Sequence, residues 1–121
     1  MLLCDSMAFF ELSKIQGVPL VEGITIKAVY GNQCSVSFLE LAPMTHLPEH
    51  HHANEQIGIV VEGELEYAIG AETKHCVAGT AFVIPPNTPH SAVVISRTPV
   101  KLLDVFAPPR DLDEPLTYTQ R

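Results

Sequence analysis

The sequence is short of positive charge, of cysteine and of long apolar runs, and each shortage closes off a class of function. Lys and Arg number 7 against 14 Asp and Glu, for a formal net charge of -7 with His neutral. Gripping a phosphate backbone takes clustered Lys and Arg, and the bases here are scattered, so no nucleic-acid partner is expected. The same acidic balance is wrong for an anionic lipid surface. No apolar run approaches the length of a membrane span. The start, Met1-Leu2-Leu3-Cys4-Asp5, has no basic stretch before its apolar residues, so no secretory signal is expected. The three cysteines, Cys4, Cys34 and Cys76, are odd in number and far apart. They fit neither a disulfide framework nor a CxxC metal site and read as reduced thiols of a cytoplasmic protein.

A helical period is also missing: no segment sustains one over three turns. What is present is a 121-residue chain, 46% hydrophobic and 17% charged. That suits one domain, with enough apolar material for a core and too little charge for a disordered chain. The texture is all-β, in short runs separated by Gly, Pro and Asn. Ile24 to Tyr30 alternates, with Ile24, Ile26, Ala28 and Tyr30 sharing a face. Ser35 to Leu41 is rich in Val, Phe and Leu. Ile57 to Val61 is nearly all apolar, as expected of a strand covered on both faces. Glu62-Gly63 reads as a two-residue hairpin turn. Beyond it, Leu65, Tyr67 and Ile69 face inward while Glu64 and Glu66 face out. Gly70-Ala71 and Ala78-Gly79 punctuate the next strands, and Ala81 to Ile84, Ser91 to Ile95 and Val100 to Ala107 complete the set. Strands this short and regular predict a sandwich or barrel. The polar stretch Asp111 to Arg121 reads as a tail that wraps the surface or a partner subunit.

The histidines are unevenly placed. Of 6, four fall within seven residues: His46, His50, His51 and His52. On a strand, residues two apart share a face, so His50 and His52 can chelate one ion while His51 points away. Gln56 can bring its carbonyl oxygen to the same site. Far along the chain, His90 follows a turn built from Pro85, Pro86 and Asn87 and can open a strand facing the first pair. His46, before Leu47-Pro48, and His75, between Lys74 and Cys76, read as surface histidines.

These residues resemble the cupin family. The stretch from His50 through Gly63 is similar to the first cupin motif: two histidines around one residue, then an acid or amide, then a glycine turn. Gly79-Thr80-Ala81-Phe82-Val83-Ile84-Pro85-Pro86-Asn87-Thr88-Pro89-His90 resembles the second. The resemblance covers roughly residues 24 to 107 and implies a single-domain jelly-roll barrel over the chain 1–121, with the tail 111–121 outside the barrel. The sequence departs from the pattern at Gln56, where many members carry Glu, at Asn87, often Gly, and at Thr80, often Asp. Asn tolerates left-handed backbone, so the second change is mild. Gln56 matters more, because it makes the ligand set neutral. An ion held by three imidazoles and an amide keeps its full charge and acts as a Lewis acid. Imidazole suits Zn, Fe, Ni, Cu or Mn. A metal-free cupin serving as a sugar-binding or a scaffold jelly roll is the competing reading.

The run Val100 to Ala107 places Asp104 on one face with Val100, Leu102 and Phe106. A carboxylate inside an apolar strand is costly unless paired or used. It is expected either in acid/base work or bonded to backbone, or facing water at a sheet edge. Phe106 can stack on a ring. Arg110, after Pro108-Pro109, can fork onto a substrate carboxylate or pair with Asp111 or Asp113 at the surface. The ending Asp104-Val105-Phe106-Ala107-Pro108-Pro109-Arg110, with His50-His51-His52-Ala53-Asn54-Glu55-Gln56 and the turn Val61-Glu62-Gly63-Glu64, resembles the KdgF-type cupins of pectin and alginate breakdown. That resemblance implies His50, His52, Gln56 and His90 as ligands of a divalent metal, and Asp104, Phe106 and Arg110 as the catalytic set. It implies conversion of unsaturated uronate monosaccharides to linear ketouronates, so the expected small-molecule partner is a sugar acid. Another metal cupin (a dioxygenase, isomerase or cyclase) and a non-catalytic sugar-acid binder are the alternatives. Strands apolar on both faces also predict a homodimer.

Overall fold

The computed structural model describes residues 8–113 and 116–118. The readings of Cys4, of residues 1–7 and of positions 114–115 and 119–121 of the tail lie outside the described residues. Where polar and apolar residues alternate, the chain forms strands: β1 (Val18–Val21), β2 (Ile24–Tyr30), β3 (Ser35–Leu41), β4 (His46–His51), β5 (Glu55–Glu62), β6 (Glu64–Ile69), β7 (Glu72–Val77), β8 (Ala81–Ile84), β9 (His90–Val94), β10 (Val100–Ala107) and β11 (Thr117–Tyr118). A 3-10 turn at Leu12–Lys14 is the only helical element among the described residues, and no helix there is long and apolar enough to cross a membrane.

Two antiparallel sheets face each other, in the orders β1-β2-β3-β10-β5-β8 and β11-β4-β9-β6-β7. This is an all-β jelly roll. Its inner faces carry the alternate residues that the sequence marks as apolar, among them Ile24, Leu41, Val60, Leu65, Ile84 and Val100, all at most 1% exposed. Each such side chain contributes roughly 1.5–3 kcal/mol by leaving water. One end of the interior is filled this way. The other end carries polar groups instead: Ser35, Ser37, His50, His52, Gln56, His90, Asp104 and Arg110 are all buried.

Two expectations are corrected. Glu62-Gly63 is not a hairpin turn. β5 pairs with β10 and β8, whereas β6 pairs with β7 and β9, so the chain changes sheets at Gly63. Gly63 has φ +86°, and a Cβ there would lie 2.8 Å from a Val100 methyl and 3.0 Å from the Pro99 carbonyl oxygen. The glycine serves a tight corner. Ile57 to Val61, expected under cover on both faces, alternates: Gly58 and Val60 are buried, while Ile57, Ile59 and Val61 are 43%, 39% and 51% exposed. They line the outer face of the six-stranded sheet, which the described residues do not cover.

Candidate metal centre

The polar end of the barrel is assembled from both sheets. β4 and β9 run antiparallel with His50 directly opposite His90, and the ring centroids are 4.2 Å apart. His52 lies one residue beyond β4. Its backbone carbonyl accepts a hydrogen bond from the Asn87 N–H at 2.7 Å. Asn87 sits at φ +60°, as expected of an Asn in place of Gly. The two histidine-bearing segments are thereby tied together. Gln56 is the second residue of β5 and projects inward, 3% exposed.

Each imidazole is held through Nδ1 by a carbonyl two residues away. His50 donates to Pro48 O at 2.8 Å, His52 to Asn54 O at 3.1 Å and His90 to Thr88 O at 2.8 Å. A neutral imidazole that donates through Nδ1 keeps a lone pair on Nε2, and such carbonyl anchors are the usual outer partners of metal-binding histidines. The candidate ligand atoms of His50, His52 and His90 lie within 4.8 Å of one another. Nε2 of His90 is buried without a hydrogen-bond partner. Nε2 of His52 lies 3.0 Å from Oε1 of Gln56. With Nδ1 already donating, two acceptors face each other there, an arrangement that a cation relieves. Burial lowers the pKa of all three imidazoles, that of His90 to about 3, aided by neighbouring His50. They stay in the neutral, ligating form. The residues fit a divalent transition metal. His46 is exposed, His51 is half-buried, and exposed His75 pairs with Glu64 at 2.9 Å, so none of these joins the cluster.

The proposed catalytic residues border the same cavity. β10 is an interior strand between β3 and β5, so Asp104 does not face water at an edge; it is 3% exposed. Burial raises its pKa to about 7, against a hydrogen bond from Gln56 that lowers it. Its Oδ1 is buried without a partner. Gly58 stands beside it in register, and a Cβ there would meet Asp104 Oδ1 at 2.8 Å and collide with the Phe82 ring. No larger residue fits. Phe106 is 7% exposed and meets His52 edge-on at 5.5 Å. Arg110, also 7% exposed, lines the cavity rather than the outer surface. Its N–H donates to Ser35 Oγ at 2.9 Å, and Asn54 Nδ2 donates to Pro108 O at 2.7 Å. These bonds fasten the segment after β10 against β3 and the His52 loop.

Sequence reasoning gave two of the polar residues that line the cavity no role. Ser37, 1% exposed, stands opposite Asp104 on β3. Tyr67, 3% exposed, was legible only as an inward residue of β6. The available signal was chemical: a phenol on a buried face needs a polar partner. Burial, aided by the nearby Asp104 carboxyl, raises the Tyr67 pKa well above the ordinary phenol value. The cavity has a volume of about 40 Å³, space for an ion and a water or two. Half-buried Leu20, Leu112 and Leu116 complete its lining.

Comparison with known proteins agrees with this architecture. The chain is similar to the KdgF structure from Halomonas sp., with 27% identity and a TM-score of 0.79, over 86% of this chain and 97% of that one. Among curated proteins, it is 43% identical to H2HPP isomerase of Bacillus subtilis over 51 residues, 41% of this chain and 22% of that protein. It is 30% identical over 92 residues to the HTH-type transcriptional regulator PuuR of Escherichia coli (strain K12), 72% of this chain and 50% of that protein. The chain thus spans half or less of the length of these curated relatives. Residues 37–106, from β3 through Phe106, match the Cupin_2 model, described as Cupin domain, and the chain belongs to that family.

Proposed function

We propose that this chain is a metal-dependent enzyme that converts unsaturated uronate monosaccharides, the products of polysaccharide lyases, into linear ketouronates. The observation that carries the reading is one buried cavity holding a neutral four-donor set, a carboxyl poised near neutral pH and a guanidinium. His50, His52, His90 and Gln56 would hold the ion, which supplies Lewis-acid polarisation of substrate oxygens. Zn, Ni, Fe and Mn all accept such donors. Asp104, with a pKa of about 7, both gives and takes a proton near neutrality, as ring opening and tautomerisation require. Arg110 pairs with the substrate carboxylate, and Phe106 packs on the ring. The likeness to KdgF supports this assignment. Small-molecule pockets run to about 300 Å³ or more, so a monosaccharide needs this cavity of about 40 Å³ to widen on binding.

The test mixes the metal-loaded protein with lyase-released unsaturated uronate. Loss of the ultraviolet band of the conjugated alkene should accompany gain of carbonyl, faster than without protein. Oxygen uptake would point instead to a dioxygenase, and an isomerised product with the alkene retained to the kind of activity that the H2HPP isomerase similarity favours. Ligand bound but recovered unchanged would favour a sensor, the reading suggested by similarity to the regulator PuuR.

The active form in this proposal is a cytoplasmic homodimer. Ile57, Ile59, Val61 and Val83, the last 54% exposed, share the outer face of the six-stranded sheet with half-buried Phe38, Leu103 and Val105. A contiguous apolar face of this kind suits a second copy. Free Cys34 and Cys76 fit a reducing compartment. In sedimentation, the wild-type protein should run as a dimer and Ile59→Lys as a folded monomer. A monomeric wild type removes the dimer from the proposal.

A further inference from the structure

On the inner face of the six-stranded sheet, three residues stand in register across three strands: Asp104 on β10, Gly58 on β5 and Phe82 on β8. Side chains so aligned are cross-strand neighbours. The middle residue has no side chain, and the outer two meet over the gap. A Cβ added at Gly58 would collide with Cζ and Cε1 of Phe82, the far end of the ring, and would lie 2.8 Å from Oδ1 of Asp104. The half-buried ring is thus laid across the glycine with its tip beside the carboxyl.

The two outer residues border different spaces. Asp104 lines the histidine cavity of about 40 Å³. Phe82 lines a side pocket of about 270 Å³ between the edge strands β7 and β8. Exposed Glu72, Lys74 and Val83 border that pocket, so solvent reaches it. Tyr67 borders both spaces, and its ring lies against that of Phe82 with 4.3 Å between centroids. The two rings form a wall. On its inner side, Oδ1 of Asp104 is buried without a hydrogen-bond partner. An unpaired carboxyl oxygen draws water wherever a path and room exist. The gap that Gly58 leaves would be such a path, and the ring tip fills it.

We propose that Phe82 is a positioning residue for Asp104: laid across Gly58, its ring shuts the carboxyl off from the side pocket, so that Asp104 meets other molecules only from the histidine cavity. Its consequence for turnover rests on the uronate reading. A carboxyl confined to that side stays aimed at the reacting sugar, and water does not reach it from behind.

The zinc-supplied wild type, Phe82→Leu and Phe82→Val are each treated with a water-soluble carbodiimide and an amine. Modification of Asp104 is read by peptide mass spectrometry, beside zinc affinity, kcat and KM. Leu keeps the base of the side chain against Tyr67 and lacks the two ring atoms that cover Gly58. Val, whose branched side chain suits a strand, is the second variant should Leu not fold. Asp104 should stay unmodified in the wild type and become modified in the variants. Zinc affinity should hold, while kcat for unsaturated uronate falls by roughly 10²-fold, the cost of a reacting group about 1 Å out of place, and KM changes little. Asp104 modified equally in wild type and variants, or protected in all of them, would overturn the proposal and leave the uronate reading standing. Modification in the variants with kcat unchanged would overturn the positioning role. A lost kcat without modification would assign the ring to general packing and overturn it as well. A wild type with no turnover would sink the uronate reading alone, and the modification contrast would still decide whether Phe82 walls off Asp104.

Discussion

Asp104→Asn should keep its zinc and lose its turnover. Asn is the right replacement, because it keeps the size of the side chain and a polar oxygen in the buried site while removing the titrating carboxyl. What it cannot do is move a proton at neutral pH. Removing a general acid–base group costs about 10²–10⁴-fold in rate, so turnover of unsaturated uronate should fall by that factor while chelator-measured zinc affinity stays within a few-fold. Unchanged turnover would take Asp104 out of the mechanism. The same variant should gain stability at alkaline pH. The folded-state pKa of Asp104 is raised by burial from 3.8 to about 7. Below the lower value the carboxyl is protonated in both states and costs nothing. Between the two, folding must take up a proton, so stability falls as pH rises, and above the folded pKa the whole penalty is present. At 1.36 kcal/mol per unit, the penalty in metal-free wild type is on the order of 4 kcal/mol. Asn carries none of it. In urea unfolding of the metal-free proteins, Asp104→Asn should therefore be far more stable relative to wild type at pH 8 than at pH 4. Equal differences at both pH values would mean that the carboxyl is paired after all.

That Asp104 stands out both in the sequence and in the folded chain has a simple cause. A lone carboxylate among Val100, Leu102 and Phe106 breaks a pattern, and broken patterns are visible without coordinates. The strand limits of β2, β3, β8 and β10 were legible from the Gly, Pro and Asn residues near their ends. His50, His52, Gln56 and His90 were legible through spacing. What stayed hidden depends on partners distant in sequence. Gly63 permits a hairpin and a change of sheet equally well. Only the pairing of β5 with β10, and of β6 with β9, decides between them. Ile57 to Val61 reads as doubly covered because an apolar run records what the strand can bury, not which molecule covers it. Tyr67 reads as one more core aromatic, because the polar cavity that it lines is built by residues on other strands. Arg110 could be read equally well as a surface ion-pair partner. Its burial follows from two anchors, Ser35 and Asn54, that are 75 and more than 50 residues away in the chain.

His90→Ala should abolish zinc binding and turnover together. His90 is the most buried of the three imidazoles, 1% exposed, and its Nε2 is buried with no hydrogen-bond partner. It also sits between the others, 4.2 Å from His50 and 4.9 Å from His52 by ring centroids. Its removal leaves two imidazoles and an amide. A ligand that binds only the folded state stabilises it by RT ln(1 + [L]/Kd), about 2.7 kcal/mol at a hundredfold excess over Kd. Zinc at that level should raise the wild-type thermal midpoint by several degrees and leave that of His90→Ala unmoved. The variant should also resist acid better when metal-free. Burial lowers the His90 pKa from 6.5 to about 3, so below 6.5 the unfolded chain gains a proton that the folded one refuses, and stability is lost as pH falls through that window. Alanine has no such proton to refuse, whereas His50 and His52 retain their own smaller share of the effect. A His90→Ala protein with wild-type zinc affinity would place the ion elsewhere. Asp104 and Arg110 would then border a cavity with no Lewis acid, and ring opening would have to proceed by proton transfer alone.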